Sequence, residues 1–77
     1  MLPQNLAKFF WDAPLRTIDQ TVNKAYVMSR LLELGDDDAV RWLEQTYPAD
    51  EVRQAVKTSR ALSPKSRNYW RLKYHIA

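Results

Sequence analysis

Few residues of this chain could do covalent or metal chemistry, and none has the company it would need. His75 is the single histidine and there is no cysteine, so neither a thiolate zinc site nor a histidine cluster can be assembled. Asp36-Asp37-Asp38 lacks the alternate spacing and distal glutamate of a calcium loop and reads instead as an acidic helix start. Ser63, just before Pro64, is better used as a helix cap than as a nucleophile. No catalytic set, metal site or cofactor is expected. What remains is binding chemistry. Arg67, Trp70, Arg71 and Tyr74 share one side of a C-terminal helix, with Arg60 and Lys73 nearby. Arginines hold carboxylates and phosphates, while aromatic rings stack or fill pockets. At the other end stands Phe9-Phe10-Trp11, three adjacent aromatics that cannot all point one way. These residues make Phe10, Trp11, Arg60, Arg67, Trp70, Arg71 and Tyr74 the candidate contacts for a protein partner.

The charge is polarised. Residues 51–77 hold seven Lys/Arg against one Glu, and residues 1–50 hold five against eight acids. A basic, aromatic-rich end favours a binding module for something anionic or large. The chain has 77 residues, enough for one domain with a modest core, and no cysteine to staple it, which fits a reducing cytoplasm. No apolar run approaches the roughly 18 residues that span a bilayer. The opening Met1-Leu2-Pro3-Gln4-Asn5 lacks the basic and apolar regions of a signal peptide.

One glycine in the whole chain argues against hairpins, whose turns consume Gly, and predicts an all-α domain spanning residues 1–77. Residues 1–16 read as an irregular strap, with Leu6, Phe9 and Phe10 on a short helical turn that ends before Pro14. Residues 17–77 read as a bundle of four short helices, 20–34, 37–47, 49–59 and 64–76. The first is capped by Asp19 or Thr17 and should be central. Val27, Met28, Leu31, Leu32 and Leu34 make its apolar face, and Tyr26, Ser29, Arg30 and Glu33 lie opposite. Gly35 is expected to end it in a left-handed conformation. Ala39, Val40, Leu43 and Tyr47, flanked by Trp42, face inward from the second helix, as do Val52, Ala55, Val56 and Ser59 from the third. Ser63 at the N-cap and Pro64 at N1 start the last helix. Its Tyr69, Leu72 and Ile76, spaced i, i+3, i+7, are expected to face the core, leaving Trp70 and Tyr74 on the free side.

Two further readings belong to the same residues. The second and third helices could form a helix-turn-helix pair that offers Arg53, Gln54 and Lys57 outward. Lys65, Arg67, Arg71 and Lys73 would then add a basic face for nucleic acid. The turn Gln45-Thr46-Tyr47-Pro48 lacks glycine, however, and three aspartates at the start of the pair would repel phosphate. Alternatively the aromatics could form a homodimer interface of a scaffold domain.

The order of motifs resembles that of a family of small bacterial helical proteins. Phe10-Trp11-Asp12 comes first, then Tyr26-Val27-Met28-Ser29-Arg30-Leu31-Leu32-Glu33-Leu34-Gly35-Asp36, then Trp42-Leu43. Ser59-Arg60-Ala61-Leu62-Ser63-Pro64-Lys65 and Asn68-Tyr69-Trp70 follow. The family has a Phe-Trp-Asp opening and an Arg-x-Leu-Ser-x-Lys segment before Asn-aromatic-Trp, and the resemblance covers roughly residues 9–72. Its members are often encoded beside nucleotidyltransferase-like toxins of the abortive-infection type. The resemblance therefore implies an antitoxin that binds and occludes such an enzyme. It departs from the family where Met28 and Leu31 replace bulkier β-branched residues and where Pro48 follows Tyr47. The family offers no catalytic residues to carry over.

Overall fold

Capping chemistry divides the chain. In a computed structural model that describes residues 2–76, the helices are α1 (Lys24–Leu34), α2 (Asp37–Thr46), α3 (Ala49–Thr58) and α4 (Pro64–Lys73). Met1 and Ala77, the two ends of the expected domain, lie outside the described residues. Asp36 opens α2 by accepting from the Ala39 N–H at 3.0 Å. Ser63 opens α4 by accepting from the Ser66 N–H at 3.2 Å, with Pro64 at the first helical position. Each cap satisfies one of the N–H groups that a helix start leaves unbonded. Asp19 also caps, accepting from Thr21 and Val22 while Asn23 Oδ1 takes the Asp19 N–H. It organises a turn at residues 20–23, however, and α1 itself begins only at Lys24, later than the expected Gln20.

The N-terminal segment is more regular than an irregular strap. Gln4–Phe9 is a 3-10 helix and Leu15–Thr17 a second, shorter one, so the expected turn is present and carries Leu6 and Phe9, with Phe10 just past its end. Leu2, Leu6, Phe9 and Phe10 are all buried, which makes this segment part of the core rather than a cover laid over it.

As expected, α1 is central: α2, α3, α4 and the first 3-10 helix all pack on it. Val27, Met28, Leu31 and Leu32 fill the middle, with Ala39 and Leu43 from α2 and Val52, Ala55 and Val56 from α3. Leu34 is an exception to the predicted face and stays exposed. All of the described regular structure is helical, and no described helix is long and apolar enough to cross a membrane.

Two expectations about helix ends are corrected. Gly35 is not left-handed: its φ is −68° and its ψ 149°, an extended conformation open to any residue. It is glycine for lack of room. A Cβ there would stand 2.5 Å from the Leu31 carbonyl oxygen and 3.0 Å from the Ala39 Cβ, where α1 turns sharply into α2. The left-handed residue is His75, with φ 56°. The His75 N–H reaches the Leu72 carbonyl and the Ile76 N–H the Arg71 carbonyl at 2.8 Å, the paired bonds of a Schellman ending. This ending stops α4 at Lys73, three residues short of the predicted Ile76.

The orientation of α4 is the larger correction. Tyr69 and Leu72, predicted to be core, are 55% and 71% exposed, and only Ile76 of that stripe packs against the interior. Trp70 is the buried residue of α4, at 6% exposure, and Tyr74 is half-buried beside it with its ring stacked on the indole. The alternative stripe Arg67, Trp70, Tyr74 has the same i, i+3, i+7 spacing, so periodicity could not choose between them. Hydrogen bonding does. Trp70 Nε1 donates to the Leu32 carbonyl at 2.7 Å. Arg67 donates to the carbonyls of Val56, Lys57 and Ser59. These are carbonyls in or just past the last turns of α1 and α3, where a helix runs out of internal donors. Turning α4 the other way would leave them bare.

Three substitutions test this account. Gly35→Ala should destabilise the fold by about 1–3 kcal/mol because backbone must shift to admit the methyl, whereas His75→Gly should stabilise it by about 0.5–1 kcal/mol by relieving a left-handed side-chain residue. Trp70→Phe keeps an aromatic ring but strands the Leu32 carbonyl, and should cost about 1–3 kcal/mol. Urea denaturation midpoints at constant m-value measure all three.

Candidate functional site

The strip Tyr26, Ser29, Arg30, Glu33, placed opposite the apolar face of α1, is not a solvent face. Because α1 is surrounded, its polar side is covered too, and each member finds a partner from a different part of the chain. Arg30 gathers the N-terminal segment. Its guanidinium donates to Asp12 Oδ2 at 2.8 Å, to the Tyr26 hydroxyl at 3.0 Å and to the Phe9 carbonyl at 3.3 Å. It also lies over the ring of Trp11 at 4.9 Å and that of Tyr26 at 5.0 Å from the centroids. The Tyr26 hydroxyl in turn donates to Asp12 Oδ1 at 3.1 Å. Ser29 Oγ and Ser59 Oγ are 2.6 Å apart, joining α1 to the end of α3. Glu33 Oε1 accepts from the Ser63 N–H at 2.9 Å, fixing the start of α4.

These contacts leave Trp11 in an unusual position. Phe10 turns inward and is fully enclosed, while Trp11 turns outward, 70% exposed, supported on one side by Arg30. It stands over a cleft of about 790 Å³ between α1 and α3. Ala25, Met28, Leu34 and Ala55 make its apolar lining, and Arg60 lies along it just beyond α3. A second cleft, of about 690 Å³, lies among α1, α2 and α4 and mixes Lys65, Tyr69 and Lys73 with Asp37 and Glu44.

The predicted site residues therefore separate. Trp11 and Arg60 come together on the first cleft, joined by Gln54 from the nucleic-acid alternative. Phe10 and Trp70 are core and unavailable to a partner, a correction to both assignments. Arg67 serves the end of α3, as described above, and is likewise removed from the binding set. Tyr74 is half-buried and its hydroxyl donates to Glu44 at 2.7 Å. Burial first, and then the Glu44 carboxylate, raise its pKa well above the ordinary tyrosine value. Arg71 is exposed and, with Arg67 and Asn68, lines a small third cleft near Leu62.

For nucleic acid the same positions are unfavourable. Arg53 and Lys57 are exposed on α3. Lys65 and Lys73 belong to the second cleft among acids, and Lys73 Nζ also sits over the Trp70 ring. The cations are divided among several surfaces instead of lining one groove. Nor do α2 and α3 form a helix-turn-helix pair resting mainly on each other, since each packs chiefly against α1 or α4. Among the described residues no group of three or more His, Asp or Glu could hold a metal ion.

Residues 6–56 match the model of a family of unknown function, DUF6922. That span is more than half of the sequence. The chain belongs to this family. The matched region runs from the N-terminal 3-10 helix through most of α3, and so includes Trp11, Asp12 and Arg30 but not Arg60 or α4. No curated protein and no solved structure matches the chain.

Arg30 is the residue that reasoning from sequence missed. A signal was present: Tyr26 and Arg30 are one turn apart on a helix expected to be central, and a central helix has no dry or wet side to spare. Asp12 is the only acid in residues 1–16.

The acid response follows from these bonds. Arg30 holds Asp12 below its ordinary value of 3.8, mainly by hydrogen bonding. The Ala39 N–H does the same for Asp36, aided by Lys8, whose Nζ is 3.1 Å away. Backbone N–H groups of Val22 and Thr21 lower Asp19, and that of Ser63 lowers Glu33 from 4.5. Groups depressed in the fold contribute stability that is full above their unfolded values and is lost as pH falls through the folded ones. Stability should therefore be flat from neutral pH down to about 5 and decline below about 4. Asp12→Asn should make that decline shallower, as read from urea midpoints across the pH series.

Proposed function

We propose that this chain is a non-catalytic protein-interaction module whose recognition surface is the α1–α3 cleft with Trp11 over it. One observation carries the reading. A tryptophan is held out into solvent by a structural arginine, beside an apolar cleft, in a small domain whose other aromatic rings, Tyr69 apart, are buried or half-buried. Trp and Arg are enriched at binding hot spots, and Trp covers a large contact area while fixing only two side-chain torsions. Here the cost is lower still, since Arg30 already orients the ring.

The mixed charge of the cleft supports a protein partner over nucleic acid. Phosphate binding requires an array of unpaired cations along one groove. Here Lys24 is 2.6 Å from Glu51 and Arg30 is 2.8 Å from Asp12, so both are already engaged. The resemblance to the antitoxin-like family supplies the partner: a nucleotidyltransferase-like toxin, bound stoichiometrically and occluded. Of the residues first assigned to that contact, Trp11 and Arg60 carry it in this reading.

Co-purification with an adjacently encoded nucleotidyltransferase tests the proposal. Trp11→Ala should leave the helical circular dichroism and unfolding midpoint nearly unchanged while weakening the complex about 30-fold, the scale of a hot-spot loss of about 2 kcal/mol. Equal binding by wild type and variant would remove the cleft from the interface. Binding to DNA at ~50 mM salt that falls steeply with added salt would favour the nucleic-acid reading instead.

A further inference from the structure

The α1–α3 cleft also restricts what kind of segment can fill it. We infer that its occupant is an amphipathic helix of the partner, about three turns long, carrying a carboxylate that pairs with Arg60. The inference rests on the protein-interaction reading and deepens it.

Backbone chemistry excludes an extended occupant. The long walls are helices, whose main-chain groups are bonded within the helix or, at the end of α3, to Arg67, and no described residue belongs to a strand. A peptide lying extended in the cleft would bring unbonded N–H and C=O groups against an apolar lining, with no sheet edge to receive them. A helix carries its own hydrogen bonds and presents only side chains. The dimensions agree. The α1 wall has 11 residues and is about 16 Å long, which matches a three-turn helix. Ala25 and Ser29 on α1, and Ala55 on α3, keep the lining low, so a helix can settle close to both walls.

Charge then fixes one feature of the visitor. Nearly every ionised group on the cleft already has a partner. Lys24 is paired with Glu51, Arg30 with Asp12, and Glu33 accepts from the Ser63 N–H. Arg60 alone among these makes no ion pair or hydrogen bond with any described residue. A helix that buries its apolar face here and places Asp or Glu opposite Arg60 leaves no charge unanswered. One that places Lys or Arg there sets like charges together.

The test is selection of binders to the intact chain from a displayed library of random segments of about 14 residues, a length that allows three to four helical turns. Selected peptides should share apolar residues at i, i+4 and i+7 with one Asp or Glu, and should gain helical circular dichroism on binding. Trp11→Ala and Arg60→Glu should each weaken them at least tenfold, roughly the loss of one anchor. Replacing the peptide's acid by lysine should restore binding to Arg60→Glu, a reciprocal rescue that a folding defect cannot produce. Proline-rich or acid-free winners, or binding indifferent to both substitutions, would overturn the inference. The two readings fail separately. Acidic helices bound in the cleft without capture of a nucleotidyltransferase would sink only the partner's identity. Capture through Trp11 with non-helical winners would sink only the helix.

Discussion

The structure depends on the carbonyls at the ends of its helices. A chain with a single glycine, itself spent on close packing, cannot close its helices with left-handed glycine caps, and α1, α2 and α3 all end in extended backbone. Side chains from elsewhere do part of that work. Trp70 takes a carbonyl of α1, Arg67 takes those around the end of α3, and Arg30 takes one at the end of the N-terminal 3-10 helix. A buried carbonyl without a donor costs about as much as a lost hydrogen bond, so these long-range caps decide how the elements face one another. Tyr47, whose hydroxyl donates to the Gln20 carbonyl at 2.7 Å, extends the pattern to the turn before α1. Burial pushes its pKa up to about 12, so it remains a donor throughout the neutral range.

From this follows the division between buried and available residues. Arginine and tryptophan look alike to sequence reasoning whether they bind a partner or cap a helix, because both tasks use the same donors and the same large apolar area. Arg67 and Trp70 are occupied within the fold. Arg30 is occupied too, but in a way that leaves Trp11 presented outward. Asp12 is half of that arrangement: by holding the guanidinium it keeps the cation under the indole. The Phe-Trp-Asp segment thus splits its roles by residue. Phe10 anchors in the core, Asp12 latches onto Arg30, and Trp11 between them is left facing solvent.

Membership in the DUF6922 family places the strap and α1–α3 in one evolutionary unit without assigning it a task. The cleft lies mainly between elements of that unit, whereas α4, outside the match, packs on α1 and α3 and supplies the Trp70 and Arg67 caps. The second cleft, beside α4, is polar and internally balanced, with cations and acids interleaved. The cleft beneath Trp11 differs in its charges: Arg60 is the one ionised group lining it that has no ion pair or hydrogen bond among the described residues.

Much of this was legible in the residues alone. The scarcity of glycine set an all-α fold, because hairpin turns were not available. Asp36 and Ser63-Pro64 marked helix starts through purely local hydrogen bonds, and the apolar spacing of α1 through α3 chose their inward faces correctly, Leu34 apart. Local chemistry is written locally, and so it can be read. The orientation of α4 could not be, since Tyr69-Leu72-Ile76 and Arg67-Trp70-Tyr74 have identical helical spacing. Nor could the reason for Gly35, which lies in its closeness to the Leu31 carbonyl and to Ala39, or the role of Arg30, whose partners Phe9 and Asp12 come from a segment far away in the chain. Those were settled only when the helices met, because which donor reaches which orphan carbonyl is a property of the packed arrangement and of no single segment.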